Sequence, residues 1–288
     1  MANARQMPRY GLDLTRRLAV MGIVNCTPDS FYDGGVTART DQAVAAAAAA
    51  VVAGADVVDI GGLAFSPDTP DRGEAEEKRR IIDVVAETAR LEVIVSVDTW
   101  RVGVAAAAVE HGATLINDVS GLADPRMAAL AAEAGVGLVI THALARPHTH
   151  YPVPRYDDVT GDVVEFLTAR VQAAKDAGVR DEQIIVDPGH DLNKNTRHSL
   201  ELTRRLDEVA ALGYPTLAAV SNKNFIGETL DLPKDQRLAG SLAAATFCFA
   251  RGARMVRMHN VAPAVQAARM VEAILGWREP AYLRHNMS

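Results

Sequence analysis

Short apolar runs and alanine-rich stretches with a helical repeat alternate along the whole chain. The apolar runs are rich in valine and isoleucine and almost uninterrupted, which is typical of parallel strands buried on both faces. They predict eight strands, at 18–25, 56–60, 93–98, 114–118, 137–142, 184–187, 216–220 and 255–259. In the stretches between and after them, apolar positions recur with the period of an α-helix. They predict eight helices, at 41–53, 74–90, 102–110, 125–134, 159–177, 197–212, 238–251 and 263–275.

Glycine follows many of these predicted helices, as is typical of left-handed C-caps. The glycines are Gly54, Gly112, Gly135, Gly178, Gly213 and Gly252. Eight strand–helix units in about 250 residues match the number and size of a closed (β/α)8 barrel. A doubly wound open sheet is the alternative, but no G-x-G-x-x-G turn follows the first strand. We therefore predict a single-domain barrel at 18–276, with an N-terminal extension at 1–17 and a C-terminal tail at 277–288.

Composition and charge narrow the class of protein. The chain has 288 residues, of which 49% are hydrophobic and 23% charged, with a net charge of −6. These values exclude a disordered chain and argue against a nucleic-acid binder, which needs a basic face. Cys26 and Cys248 form neither a disulfide framework nor a zinc spacing, which suits a reducing cytoplasm. We expect no membrane partner, since we find neither a signal peptide nor an apolar run of spanning length.

Polar side chains stand at the end of every predicted strand. They are Asn25, Asp59, Asp98, Asn117 with Asp118, Thr141 with His142, Asp187, Ser221-Asn222-Lys223, and Arg257 with His259. In a barrel the carboxyl ends of the strands meet at one mouth. Burying an unpaired polar group costs about 1–3 kcal/mol. The sequence therefore predicts a polar ligand in the mouth.

The residue types constrain that ligand. Asp98, Asn117 and Asp187 offer carboxylate and amide groups that suit the edge of a heterocycle with amino and ring N–H donors. The remaining strand ends supply cations and donors that suit an anionic group such as a phosphate. These residues are Lys223, Arg257 and His259. A ligand with an amino-heterocycle at one end and a phosphate at the other would use both sets.

The loop after the first strand, Asn-Cys-Thr-Pro-Asp-Ser-Phe-Tyr-Asp-Gly-Gly at 25–35, resembles the signature of dihydropteroate synthases. The resemblance continues in order along 18–276. It runs through Asp-Ile-Gly-Gly at 59–62, Ser-Val-Asp-Thr at 96–99, Asn-Asp-Val-Ser at 117–120, Asp-Pro-Gly at 187–189, Ser-x-Lys at 221–223 and Arg-x-His at 257–259. It implies a (β/α)8 barrel that joins 4-aminobenzoate to 6-hydroxymethyl-7,8-dihydropterin diphosphate in folate biosynthesis and releases pyrophosphate.

The resemblance also implies roles for particular residues. The pterin would be held by Asp98, Asn117, Asp187 and Lys223, and the diphosphate by Asn25, Arg257 and His259. Asn25 would also ligate a magnesium ion. The aminobenzoate pocket would comprise Pro28, Phe31, Asp33 and Ser221. The residues implied to carry the reaction are Asn25, Asp98, Asp187, Lys223, Arg257 and His259. Members of the family are usually homodimers, and the resemblance implies a contact through the last two predicted helices.

Three loops depart from the family pattern. Gly-Gly-Leu-Ala-Phe-Ser-Pro-Asp at 61–68 replaces the usual Gly-Gly-Glu-Ser-Thr-Arg-Pro-Gly. The arginine lost there is the expected partner of Asp33. Gly-His-Asp-Leu-Asn-Lys at 189–194 replaces Gly-x-Gly-Phe-x-Lys, and Ser-Asn-Lys at 221–223 replaces Ser-Arg-Lys. We expect Asp191 to add a negative charge near the diphosphate. The pattern indicates a diverged paralogue that is slow, inactive as a synthase, or shifted to another acceptor.

Two other functions compete with the synthase. Methyltetrahydrofolate methyltransferases are related pterin-binding barrels with a similar Asp/Asn/Asp set, but the loop at 25–35 favours a synthase. A non-catalytic pterin-binding protein is the second alternative, and the altered loops favour it. Turnover, as opposed to binding without turnover, separates this alternative from the synthase.

Overall fold

The computed structural model describes residues 11–26, 36–63, 71–149, 151 and 153–286. In this part of the chain eight parallel strands alternate with helices. The strands are β1 (Ala19–Asn25), β2 (Val57–Gly61), β3 (Ile94–Asp98), β4 (Leu115–Asp118), β5 (Gly137–Thr141), β6 (Ile184–Asp187), β7 (Leu217–Ala218) and β8 (Met255–Met258).

The helices lie between the strands and after the last one. They are α1 (Val36–Val52), α2 (Gly73–Ala89), α3 (Val102–Glu110), α4 (Arg126–Ala134), α5 (Val159–Asp176), α6 (Thr196–Arg204), α7 (Leu206–Ala210), α8 (Asn224–Leu230), α9 (Leu238–Ala250) and α10 (Val261–Ile274). Short 3-10 turns occupy Asp181–Gln183 and Lys234–Gln236. None of the helices described here is both long and apolar enough to cross a membrane.

The strands close into a barrel. Their order is β6-β5-β4-β3-β2-β1-β8-β7, with every pairing parallel. A further parallel bridge between Val186 and Thr216 joins the two ends of this order, β6 and β7. The predicted (β/α)8 barrel is therefore confirmed. All six glycines predicted to end helices have positive φ, and Gly135, with φ 69°, is the left-handed C-cap of α4.

Two predicted elements differ from the structure, and the structure has one helix that the sequence did not predict. The helix predicted at 197–212 is two helices, α6 and α7, which meet at Arg205, where φ is −105° and ψ is 24°. The strand predicted at 216–220 is reduced to the two residues of β7. Helix α8 was not predicted at all. It begins directly after Lys223, so its position affects the mouth of the barrel.

A separate apolar core fills the barrel interior near the amino ends of the strands. Alternate residues of each strand point inward, and the inward set near the amino ends is hydrophobic. Its strand members are Ala19, Met21, Val57, Leu115, Val139, Ile185, Leu217 and Met255. Leu12 and Leu14 pack against the same cluster, so the described part of the N-terminal extension covers the barrel floor. Because this core fills the amino ends of the barrel, the polar inward positions at the carboxyl ends are where a ligand can bind.

Candidate active site

Arg257 connects two carboxylates across the mouth of the barrel. Its Nε donates to Asp59 Oδ2 over 2.6 Å, and its Nη2 donates to Asp98 Oδ2 over 2.8 Å. Asn117 Nδ2 also donates to Asp59 Oδ2, over 3.1 Å. Burial raises the pKa of Asp98 to about 7, although the positive charge of Arg257 acts in the opposite direction. Asp59, to which the sequence alone assigned no role, thus joins Asn117 to Arg257, and Arg257 in turn bonds Asp98.

Several buried polar atoms in this layer have no hydrogen-bond partner in the described part of the chain. They are Asp59 Oδ1, Ser96 Oγ, Asn117 Oδ1 and Thr141 Oγ1. All four belong to inward positions toward the carboxyl ends of β2, β3, β4 and β5. Because an unpaired buried polar atom costs about 1–3 kcal/mol, such atoms mark a place where a polar ligand or water binds.

Asp187 and Lys223 complete the predicted heterocycle-binding set. Asp187 ends β6, and its Oδ1 accepts a hydrogen bond of 2.7 Å from the Gly189 amide. Lys223 follows β7 and is half-buried, and no hydrogen bond or ion pair joins its ammonium to the described residues. Burial raises the pKa of Asp187 and lowers that of Lys223. The ammonium and the second carboxylate oxygen therefore remain available to a ligand.

His259 is oriented by Ser221. Ser221 Oγ accepts from the His259 backbone N–H over 3.1 Å and lies 2.9 Å from His259 Nδ1. If the serine hydroxyl donates to Nδ1, the ring proton lies on Nε2, which is the donor left for an anion. Burial, together with the positive charge of Arg257, lowers the pKa of His259 to about 4. In the unliganded protein His259 is therefore a neutral donor, and Arg257 and Lys223 are the cations of the predicted anion-binding set.

Asn25 lies on β1, the strand that pairs with β8. It ends β1, is half-buried and pairs in register with Gly61, which in turn pairs with Asp98. A Cβ on Gly61 would lie 3.4 Å from the Asp98 Cβ, so the glycine keeps the space between the two side chains open. The predicted pocket residues Pro28, Phe31 and Asp33 lie outside the described residues, as does the altered loop at 64–68.

Lys194 anchors the loop that follows β6. This lysine matches a family motif, but the sequence alone gave it no role. Lys194 is 7% exposed, and its Nζ lies 2.8 Å from His142 Nδ1. It also donates to Gly189 O over 3.0 Å and to Leu192 O over 3.1 Å. Burial lowers the pKa of His142 to about 3, so the neutral ring can accept from the ammonium. Since the Gly189 amide bonds Asp187, this contact places the Asp187 carboxylate indirectly.

The structure adds a role for Asp191, for which the sequence predicts a negative charge near the diphosphate. Its Oδ2 accepts from the backbone N–H groups of Asn224, over 2.5 Å, and Phe225, over 3.3 Å, and its Oδ1 accepts from Ser199 Oγ over 2.9 Å. The carboxylate therefore caps the amino end of α8, where the helix dipole stabilises negative charge. It is thus paired with backbone and hydroxyl donors, and its negative charge acts against burial to raise the pKa of the Lys223 ammonium.

Asn222, where the family motif has arginine, lies in the left-handed region with φ 56°. Its backbone N–H donates to Ser241 Oγ over 3.0 Å, and its carbonyl accepts from Arg237 over 3.1 Å. Arg237 also donates to the carbonyl of Lys223 over 3.2 Å. The guanidinium of Arg237 thus binds the backbone of the loop that carries Lys223 and holds that loop in place. Position 222 itself supplies no cation.

Comparison with known proteins agrees with this geometry. A sequence model of the family described as "Pterin binding enzyme" matches residues 21–259. The chain is also 38% identical over 261 residues to the dihydropteroate synthase of Escherichia coli strain K12, covering 90% of this chain and 93% of that protein. This chain belongs to the dihydropteroate synthase family. The predicted family is therefore confirmed.

Two further similar proteins bear on whether members of the family are active. The chain is 43% identical over 270 residues to a Mycobacterium leprae protein named "Inactive dihydropteroate synthase 2", covering 92% of this chain and 93% of that protein. Its fold superposes with a TM-score of 0.87 on a Xanthomonas albilineans dihydropteroate synthase solved with 4-aminobenzoic acid. Those two chains are 37% identical, and the match covers 93% of this chain and 97% of the other. The family thus includes both synthases and proteins named as inactive.

Proposed function

We propose that the barrel mouth binds 6-hydroxymethyl-7,8-dihydropterin diphosphate and that the protein transfers the pterinylmethyl group to 4-aminobenzoate at a low rate. The observation that carries this proposal is the convergence of Asp98, Asn117, Asp187 and Lys223, with unpaired buried acceptors between them. A pterin edge offers amino and ring N–H donors to the carboxylates, and its carbonyl oxygen is an acceptor for the lysine.

The diphosphate would lie on the side of Arg257 and His259. In the described structure Arg257 uses Nε and Nη2 for carboxylates, while its Nη1 has no partner there and suits a phosphate oxygen. His259 would add a neutral Nε2–H donor. These two residues would stabilise the charge that gathers on the leaving group as the carbon–oxygen bond breaks.

The residues also fit a magnesium ion that arrives with the diphosphate. Asn25 offers one amide oxygen, and no cluster of three or more His, Cys, Asp or Glu side chains that could hold a metal occurs among the described residues. Magnesium often binds one or two protein oxygens, substrate phosphates and several waters. We therefore propose Asn25 as its protein ligand. When bound, the ion would neutralise charge on the diphosphate.

The proposed reaction is a displacement at the pterinyl methylene carbon. The carbon–oxygen bond breaks and its electron pair leaves with the pyrophosphate, while the electron-rich pterin supports the cationic carbon. The lone pair of the 4-aminobenzoate nitrogen forms the new carbon–nitrogen bond, and the nitrogen releases a proton to solvent. Asp98, Asn117 and Asp187 would hold the pterin so that the methylene carbon lies beside Arg257 and His259.

A low rate follows from the charges at the mouth. Position 222 supplies asparagine where the family motif has arginine, and Asp59, Asp98 and Asp187 surround the two cations Arg257 and Lys223. Each cation missing from the transition state lowers the rate on the order of 10²–10³-fold. Binding without turnover is the second candidate function, because the chain has close relatives named as inactive synthases.

The test is one reaction with dihydropterin diphosphate, 4-aminobenzoate and Mg²⁺, followed by mass spectrometry and pyrophosphate release. Asp187→Asn and Lys223→Ala variants measure the background, and a known synthase run alongside calibrates the rate. Dihydropteroate that disappears in both variants would support slow synthase activity. Pyrophosphate release without dihydropteroate would point to another acceptor. If neither product forms, a pterin titration distinguishes the binding protein from a protein without a pterin site.

We also propose a homodimer in the cytoplasm, with a contact through α9 and α10. Helix α9 contains no charged residue, and Phe247 on α9 is 42% exposed. On α10, Met270 is 59% and Ile274 70% exposed. Light scattering should give the mass of a dimer, and Ile274→Glu should shift it to a monomer. The cytoplasmic proposal is supported by Cys26 and Cys248, which are free and buried.

A further inference from the structure

Asp59 is an ionisable residue that the proposed reaction has not used so far. It lies near the carboxyl end of β2 and is fully buried. Its Oδ2 accepts from Arg257 Nε over 2.6 Å and from Asn117 Nδ2 over 3.1 Å. One buried carboxylate oxygen thus bonds a residue of the diphosphate side and a residue of the pterin side.

We propose that Asp59 is a positioning residue that holds Arg257 toward the diphosphate and Asn117 toward the pterin. This inference rests on the proposed function, since it assigns a task within the same site. In this role Asp59 acts through those two side chains, which it bonds with Oδ2.

The need for a second carboxylate follows from the position of Asp98. Arg257 contacts both Asp59 and Asp98, but the Asp98 side chain is 17% exposed, whereas Asp59 has no exposed side-chain surface. When Asp98 turns to the pterin it can no longer neutralise Arg257 fully. Asp59 remains bonded to Nε and keeps the guanidinium fixed, so one end of Arg257 stays anchored while the other faces the diphosphate.

An Asp59→Asn substitution separates charge from shape. Asparagine occupies the same volume and retains one acceptor, but it removes the negative charge and adds donors that face those of Arg257. Asp98 would then be the remaining carboxylate bonded to Arg257, and the two would pair more closely. This pairing would compete with pterin binding and would turn the guanidinium away from the diphosphate.

The experiment measures binding of two probes, 6-hydroxymethylpterin and its diphosphate, by calorimetry. Changes to residues that orient a ligand-binding group commonly cost about 10–100-fold in affinity. For Asp59→Asn we expect a loss of about 10-fold for the pterin and about 100-fold for the diphosphate. Asp56→Asn is the matched control, because Asp56 is a buried carboxylate just before the amino end of the same strand that pairs with Arg269 but bonds neither Arg257 nor Asn117. It should change either affinity by less than about two-fold.

The outcomes separate this inference from the proposed function. Wild-type protein that binds both probes, with Asp59→Asn as tight as Asp56→Asn, would overturn the positioning role and leave the proposed function standing. Wild-type protein that binds neither probe would overturn both. A loss for the diphosphate larger than that for the pterin, absent from Asp56→Asn, would support the role, because a general loss of folding would affect both probes equally.

A second measurement needs no folded Asp59 variant. The Arg257 Nε–H proton, assigned by its absence in an Arg257→Lys spectrum, can be followed by nuclear magnetic resonance in wild-type protein as 6-hydroxymethylpterin is added. If Asp59 stays hydrogen-bonded to Arg257 Nε, this proton stays protected from exchange with solvent throughout the titration. Loss of its protection on pterin binding would contradict the proposal.

Discussion

Lys194 provides a quantitative test of the electrostatics beneath the site. Burial lowers its pKa to about 7; the charge of Asp187 raises it, that of Lys223 lowers it, and that of Asp191 raises it. In an unfolded chain a lysine loses its proton near pH 10.4. Between about pH 7 and about pH 10.4 the unfolded state therefore binds one more proton than the folded state. The free energy of unfolding must rise with pH across this range.

The magnitude follows from the shift. Each pH unit inside the range adds about 1.4 kcal/mol, so two units would add about 2.7 kcal/mol. The three acceptors His142 Nδ1, Gly189 O and Leu192 O favour the ammonium, so the gain begins on the upper side of about pH 7 and the range is narrower. We therefore expect a gain of about 2 kcal/mol between about pH 7.5 and about pH 9.5. Below about pH 7 both states are protonated and the contribution is constant.

The assay is urea unfolding of wild-type protein and Lys194→Met at several pH values across this range. Other titrating groups cancel in the difference between the two proteins, and that difference should increase by about 2 kcal/mol in favour of the wild type as the pH rises. Lys175→Met is the control, because Lys175 forms an exposed ion pair of 2.8 Å with Asp181 that raises its pKa. A difference for Lys194→Met that is as flat as that for Lys175→Met would refute the reasoning.

Three further predictions follow from other contacts. Gly189→Ala should destabilise the fold by about 3 kcal/mol or more in urea unfolding, because a Cβ would lie 2.1 Å from His142 O and φ is 69°; an unchanged midpoint would contradict this. Glu272→Gln should lower the free energy of unfolding by about 3 kcal/mol, because the buried carboxylate accepts from Leu18 N–H and pairs with Arg269. Urea unfolding measures this loss as well. A sulfonamide should inhibit only weakly, and an inhibition constant close to the affinity for 4-aminobenzoate would show that the pocket is intact.

Local patterns were sufficient to predict the barrel and most of its mouth. An apolar run that ends in a polar residue predicts both the position of a strand and the residue at its carboxyl end. This signal identified Asp98, Asn117 and Asp187 without any knowledge of pairing. The contact between Asp59 and Arg257 could not be predicted in this way, because these residues lie 198 positions apart and meet only when the barrel closes.

Helix α8 shows why tertiary contacts limit prediction. Its seven residues, Asn-Phe-Ile-Gly-Glu-Thr-Leu, include glycine, isoleucine and threonine, which have low helix propensity. The helix is stabilised by burial of Phe225 and Ile226 and by Asp191, which caps it from 33 positions upstream. The sequence predicts a negative charge at Asp191 but no capping role, because it does not predict the helix that Asp191 caps. The missing helix and the missing cap therefore have one cause.

The direct test of the central claim is equilibrium binding of 6-hydroxymethyl-7,8-dihydropterin diphosphate, with Mg²⁺, to wild-type protein and to Asp187→Asn. The account predicts saturable binding of one ligand per chain, with a dissociation constant of about 1–100 μM. It also predicts at least about 10-fold weaker binding by the variant, which loses a carboxylate that faces the pterin. Absence of saturable binding up to about 1 mM, or equal affinity of the two proteins, would contradict the claim that this barrel retains a pterin site.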